Sequence, residues 1–186
     1  MTFGFDDNRR STVTRSYESY DIARRVVEEL ESAGFPDSDI SLVGRHKDVD
    51  DSNAGEGAGI GAAVGGAAGL LAGLGLLAIP GIGPVVAAGW LASTAAGAAA
   101  GGATGGIIGA FTSAGEDEES ANYHAETVRR GGTVVSVKAS EDQVPSAEAI
   151  MDSATPIDRD TRLTEYRDEG WSRFDDKAER YRGPLI

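Results

Sequence analysis

The sequence predicts an α+β fold, and three observations carry that prediction. A strand–helix pattern over residues 12–34 recurs over residues 133–155. A stretch of 59 residues, 57–115, holds no charged side chain and 18 glycines. A polar segment from Glu116 to Gly132 has the charge order of a capped helix.

The elements follow in order. Residues 1–11 are polar and read as a loose leader. Thr12-Val13-Thr14-Arg15-Ser16-Tyr17 alternates, with Val13, Arg15 and Tyr17 on one face, as a strand does. Ser19 or Asp21 caps a following helix. Ile22, Ala23, Val26, Val27, Leu30 and Ala33 form its apolar stripe, and Gly34 stands where a left-handed cap is wanted. Ile40 to Gly44 reads as a second strand. Far along the chain, Thr133 to Lys138 is a strand. Ser140 to Ala154 is a helix with Val144, Ala147, Ile150 and Met151 on one side, and Thr155 to Asp160 gives a short last strand. The two stretches align without gaps, with identities at Thr12/Thr133, Val13/Val134, Ser19/Ser140, Asp21/Asp142, Ser32/Ser153 and Ala33/Ala154. Two βαβ units make a ferredoxin-like βαββαβ sandwich from residues 12–47 and 116–160. One extra helix precedes the third strand: Glu116 to Glu119 fill its first turn, Arg129 and Arg130 its last, and Gly131 and Gly132 stop it.

The insertion at 57–115 is the strongest signal. Gly57, Gly61, Gly65, Gly69 and Gly73 recur every four residues; so do Gly89, Ser93, Gly97, Gly101, Gly105 and Gly109. That spacing puts each set on one helical face, where two backbones can approach closely. Pro80-Gly81-Ile82-Gly83-Pro84 cannot continue a helix. The expectation is a glycine-zipper helical hairpin: one arm over 57–79, a turn at 80–84, a second arm over 85–114. Each helical glycine costs about 1 kcal/mol relative to Ala, so arm one carries a handicap of about 8 kcal/mol that close packing or lipid must offset. The first arm is long enough to span a bilayer; the second holds only Ala, Gly, Ser and Thr from Ala92 to Gly106. The segment therefore suits a buried oligomer core as well as a membrane.

Residues 161–186 are a charged tail, amphipathic or disordered. Trp171, Phe174, Ala178 and Tyr181 recur at three, four and three residues, which predicts a short helix docking by its aromatic stripe onto the sheet face opposite the sandwich helices.

Composition narrows the chemistry. Among 186 residues, 30 acidic against 17 basic give a net charge of −13, which disfavours nucleic acid and simple adsorption to anionic lipid. The absence of cysteine removes disulfides, thiol nucleophiles and Cys-type metal sites. Met1 is followed by no basic, apolar leader, so no secretory signal is expected. No Gly-Lys-Ser/Thr follows the glycines. The loose G-x-G-x-x-A at Gly57 to Ala62 lies inside the repeat, far from a strand. Asp48, Asp50 and Asp51 start like a calcium loop but lack its Gly and terminal Glu. His46 and His124 stand alone. The residues indicate no catalytic set, no metal and no cofactor.

Several segments together resemble the bacterial general stress protein domain family, which includes heat-induced and low-temperature-induced proteins. They are Glu31-Ser32-Ala33-Gly34-Phe35, Asp39-Ile40-Ser41-Leu42-Val43, Ile79-Pro80-Gly81-Ile82-Gly83-Pro84, and Tyr123 with Val128-Arg129-Arg130-Gly131-Gly132-Thr133-Val134-Val135-Ser136-Val137. The resemblance covers residues 12–160 and leaves the tail outside. It implies a stress-associated bacterial protein, in the cytoplasm or at the cytoplasmic face of the inner membrane, and offers no catalytic residues. Two functions follow as expectations. The first is a non-enzymatic structural protein whose partner is itself, through the zipper, with membrane lipid as a further partner. The second is a soluble ligand-binding regulatory module.

Overall fold

The computed structural model describes residues 10–45, 75–79, 81–100, 106–178 and 181. Strand alternation builds its layers. The strands are β1 (Arg10–Tyr17), β2 (Ile40–Gly44), β3 (Gly75–Ile79), β4 (Gly83–Ala88) and β5 (Thr133–Ser140). They form one antiparallel sheet in the order β1-β5-β2-β4-β3. The helices are α1 (Tyr20–Ser32), α2 (Gly89–Ala100), α3 (Gly106–Ser113), α4 (Glu118–Arg129), α5 (Val144–Ser153) and α6 (Arg159–Asp168), with one turn of 3₁₀ helix at Asp37–Asp39.

Neighbouring strand residues point to opposite faces, and here both faces are apolar. Leu42, Val135 and Val137 meet Ala23, Val26, Val27 and Leu30 of α1 and Ala147 and Met151 of α5. Val43, Val85, Ala87 and Val134 face the other way. They meet Leu91 and Ala95 of α2, Ile107 and Phe111 of α3, and Ala121, Ala125 and Val128 of α4. The result is a mixed α+β protein with helices on both sides of the sheet. The face expected to be bare is covered by α2, α3 and α4.

The Ser19 side chain accepts from the Ile22 N–H to open α1, as one of the two expected caps. The helix expected to hold Glu116 to Glu119 in its first turn starts at Glu118 instead, because Asp117 caps α4 by accepting from the Ser120 N–H. The sheet departs from expectation in two places. Thr155 to Asp160 is not a strand: Thr155 is left-handed (φ 52°), Pro156 has no N–H, and Asp158 caps α6. One strand-like contact remains, from Ile157 N–H to Ser16 O at 2.7 Å.

The second departure lies in the charge-free segment. Residues 75–79, expected at the end of the first helical arm, and 83–88, expected to finish the turn and start the second arm, form a β-hairpin paired from Gly75↔Ala87 to Ile79↔Gly83. A turn is there at Gly81 and Ile82, but it joins strands, and Gly83 and Pro84 belong to β4. Ile82 N–H donates to Ile79 O, Gly81 takes φ 76°, and Pro84 pairs within β4. Pro80 itself lies outside the described residues. Val85-Val86 and Ile79 are β-branched, and pairing β4 with β2 buries Val85 completely; a helix there would leave the β2 edge open. The second arm is helical only from Gly89, as α2 and α3.

Candidate functional site

Of the expected glycine stripe, Gly57, Gly61, Gly65, Gly69, Gly73, Gly101 and Gly105 lie outside the described residues, and Gly97 sits within α2. Gly89 opens α2 at φ 79°, and a Cβ there would stand 2.2 Å from Ile40 O. This glycine lets the chain pass from β4 into α2 against the backbone of β2, and it is not a helix-packing position as the spacing predicted. Gly109 is the opposite case: a Cβ there, or at Gly106, meets nothing within 4 Å.

The hydroxyls beside these glycines turn inward on their own helices. Ser93 Oγ donates to Gly89 O (3.5 Å), Thr94 Oγ1 to Trp90 O (2.8 Å), Thr112 Oγ1 to Ile108 O (3.1 Å) and Ser113 Oγ to Gly109 O (2.7 Å). Self-satisfied hydroxyls on a helix without charges leave a surface that asks for no water. On α3 the outward strip of Gly106, Gly109, Thr112 and Ser113 is small and smooth, and among the described residues nothing lies within 4 Å of a Cβ built at either glycine.

A second region joins α4 to the tail. Glu126 is fully buried and receives Arg129 Nε at 2.8 Å and Arg130 Nε at 2.7 Å. Arg130 also reaches Glu169, and its guanidinium lies 4.2 Å from the Tyr166 ring centre and 4.9 Å from that of Tyr181. A buried carboxylate is tolerated because two guanidiniums surround it. Burial pushes the Tyr166 phenol up to about 12.

The tail residues Trp171, Phe174 and Tyr181 all touch the body, but not as a helical stripe. The tail's helix is α6, and it ends before them. Gly170 takes φ 87°, its N–H donates to Arg167 O, and Trp171 N–H donates to Tyr166 O. This left-handed cap brings Trp171 edge-on to Tyr166, centroids 5.8 Å apart. Phe174 then enters the α2–α4 core, with its N–H on Asn122 Oδ1 at 3.0 Å. The next residues cross the β3–β4 turn so closely that a Cβ at Gly81 would stand 2.7 Å from Asp175 O.

Of the two histidines, His46 lies outside the described residues. His124 is buried, with Nδ1 3.0 Å from Ser16 Oγ and the Phe111 and Tyr123 rings on either side. Burial, with Arg159 nearby, pulls its pKa down to about 3, so it is neutral near pH 7. Ser16 is itself 2% exposed. Both residues of the pair lie in the lining of a cleft of about 360 Å³ beside β1, together with Arg15, Glu116, Asp158 and Arg159. A larger cleft of about 650 Å³ runs between α1, α6 and residues 153–158; Ile22, Val26 and Ile157 line it, beside the left-handed Thr155. The sequence offered no signal for either cleft. Each depends on residues 155–158 leaving the sheet. No group of three metal-ligating side chains occurs among the described residues.

Fold and site thus define a mixed α+β protein with two uncharged helices, α2 and α3, packed beside the charged α4 on one side of its sheet. Comparison with known proteins finds no matching family model, no matching curated protein and no matching solved structure.

Proposed function

We propose that this is a non-enzymatic protein that associates with copies of itself through its charge-free helices α2 and α3. The observation that carries the reading is the outward strip of α3. It has no charge, its hydroxyls are internally satisfied, and Gly106 and Gly109 leave space for a second backbone. The resemblance to the bacterial general stress proteins agrees with it. The sheet core is then a ferredoxin-like relative. β5 lies antiparallel between β1 and β2, α1 and α5 share one face, and Ile157 stands where a fourth strand would begin. Among the described residues no helix is long and apolar enough to cross a membrane; a second copy is the partner this reading takes, with lipid as the alternative outcome of the test.

Gly109→Leu tests it. An added Cβ meets nothing within 4 Å among the described residues, so the fold tolerates a side chain there while close helix contact does not. The expected result is a smaller species by size-exclusion chromatography without detergent. An unchanged elution volume contradicts the reading, and a protein that pellets until detergent is added points to lipid.

The larger cleft supports one other reading, a ligand-binding regulatory module. The left-handed, β-branched Thr155 on the wall of the larger cleft favours it, because such strain persists where a site needs it. Thr155→Gly relieves the strain, and in this reading it weakens ligand binding while raising the melting temperature.

A further inference from the structure

β1 is an outer strand of the sheet, eight residues long and paired without interruption from Arg10↔Ser140 to Tyr17↔Thr133. It contains no proline, glycine or bulge. In an antiparallel ladder, successive residues turn their backbone groups alternately toward and away from the neighbouring strand. Ser16 O accepts from Ile157, outside the sheet, so the backbone groups of Thr14, Thr12 and Arg10 also point outward. Among the described residues only Arg15 answers them, with Nη1 donating to Thr14 O at 3.0 Å. The N–H and C=O of Thr12 meet no described partner. An open edge of this length pairs with another strand unless something blocks it.

We infer that β1 pairs with β1 of a second copy about a two-fold axis at Thr12, joining two sheets edge to edge. Chemistry selects both the partner and the register. A two-fold axis makes an open edge its own complement. Centring the pair on Thr14 would require Ser16 O, which Ile157 holds. Centring it on Arg10 would set two guanidiniums directly opposite one another, which is unfavourable across a ladder. Centring it on Thr12 sets Thr12 against Thr12 and Arg10 against Thr14 of the second copy, with no like charges opposed. Three residue pairs then each exchange two backbone hydrogen bonds. Thr14 O keeps its bond from Arg15 and uses its second lone pair. The contact does not involve α2 or α3, so it is independent of the helix-packing reading. Gly109→Leu should leave it intact.

The absence of cysteine makes the test direct. Thr12→Cys places one thiol on each copy roughly 5–6 Å apart at the backbone, within reach of a short bis-maleimide. Arg10→Cys places them four residues out of register, about 13 Å apart or more along the strands. The full-length Thr12→Cys protein should cross-link to a covalent dimer at least tenfold faster than Arg10→Cys. Equal rates overturn the inference. Hydrogen exchange on the unsubstituted protein guards against a variant that fails to fold. The Thr12 amide should be unprotected when dilute and become protected as concentration rises. Fast exchange at every concentration overturns the inference. Protection already present in the dilute monomer overturns it too, because another segment of the same chain would then cover the edge.

Discussion

Two glycines of the same four-residue repeat meet opposite fates. Gly89 needs its left-handed backbone and has Ile40 O in the way of any side chain. Gly89→Ala should destabilise the protein by at least about 2 kcal/mol, read as a lower urea midpoint. Gly109 is helical with open space beside it, so Gly109→Ala should stabilise the isolated chain by about 1 kcal/mol. Spacing alone could not separate them, because the repeat says nothing about which glycine sits at a strand-to-helix junction. His124 carries a second prediction at this scale. Its pKa in the folded protein is depressed to about 3, from an ordinary 6.5. As pH falls through 6.5, the unfolded chain takes up a proton that the folded protein refuses, so stability is lost toward acid between pH 6.5 and about 3. The slope approaches about 1.4 kcal/mol per pH unit. Urea midpoints at pH 7 and pH 5 should diverge less in His124→Gln than in the parent; equal divergence would mean that this histidine does not set the slope.

Among the elements, α1, α4, β1, β2 and β5 were legible because cap, stripe and alternation agree locally. Ser19 and Asp117 do cap, and Ala23, Val26, Val27 and Leu30 are the buried stripe. The β3–β4 hairpin was not, since short apolar runs fit a helix or a buried strand equally and only pairing with β2 decides. The tail was half legible. Its aromatic residues are the ones that touch the body, yet their three- and four-residue spacing suggested a helix that Gly170 ends first. Their order serves three different contacts: Trp171 on Tyr166, Phe174 in the core, and Tyr181 on Arg129 and Arg130. Phe174→Ala should cost about 3 kcal/mol, near the low end for a buried aromatic because Phe174 lies at the margin of its core. Asn122→Ala removes the hydrogen bond accepted from the Phe174 N–H and the one donated by Nδ2 to Glu118 O, and should cost about 1–2 kcal/mol. A Phe174 variant that melts with the parent would show the tail docking to be incidental.

At the scale of the whole molecule, charge and apolar surface oppose one another. Each copy carries a net charge of −13, so assembled copies repel, and salt relieves that repulsion. Association should therefore tighten as salt is raised at neutral pH; weaker association would indicate ion pairs between copies instead. The change from charged to uncharged composition at residues 57–115 was readable in the sequence; that part of it adds β3 and β4 to the sheet was not. Nor was its placement, because the covering of the second sheet face is a tertiary outcome. The account rests on self-association, and the molar mass in solution tests it most directly. Light scattering across a dilution series in detergent-free buffer should give a mass above the 19.2 kDa of one chain, falling toward it on dilution. A mass of 19.2 kDa at every concentration would contradict the account.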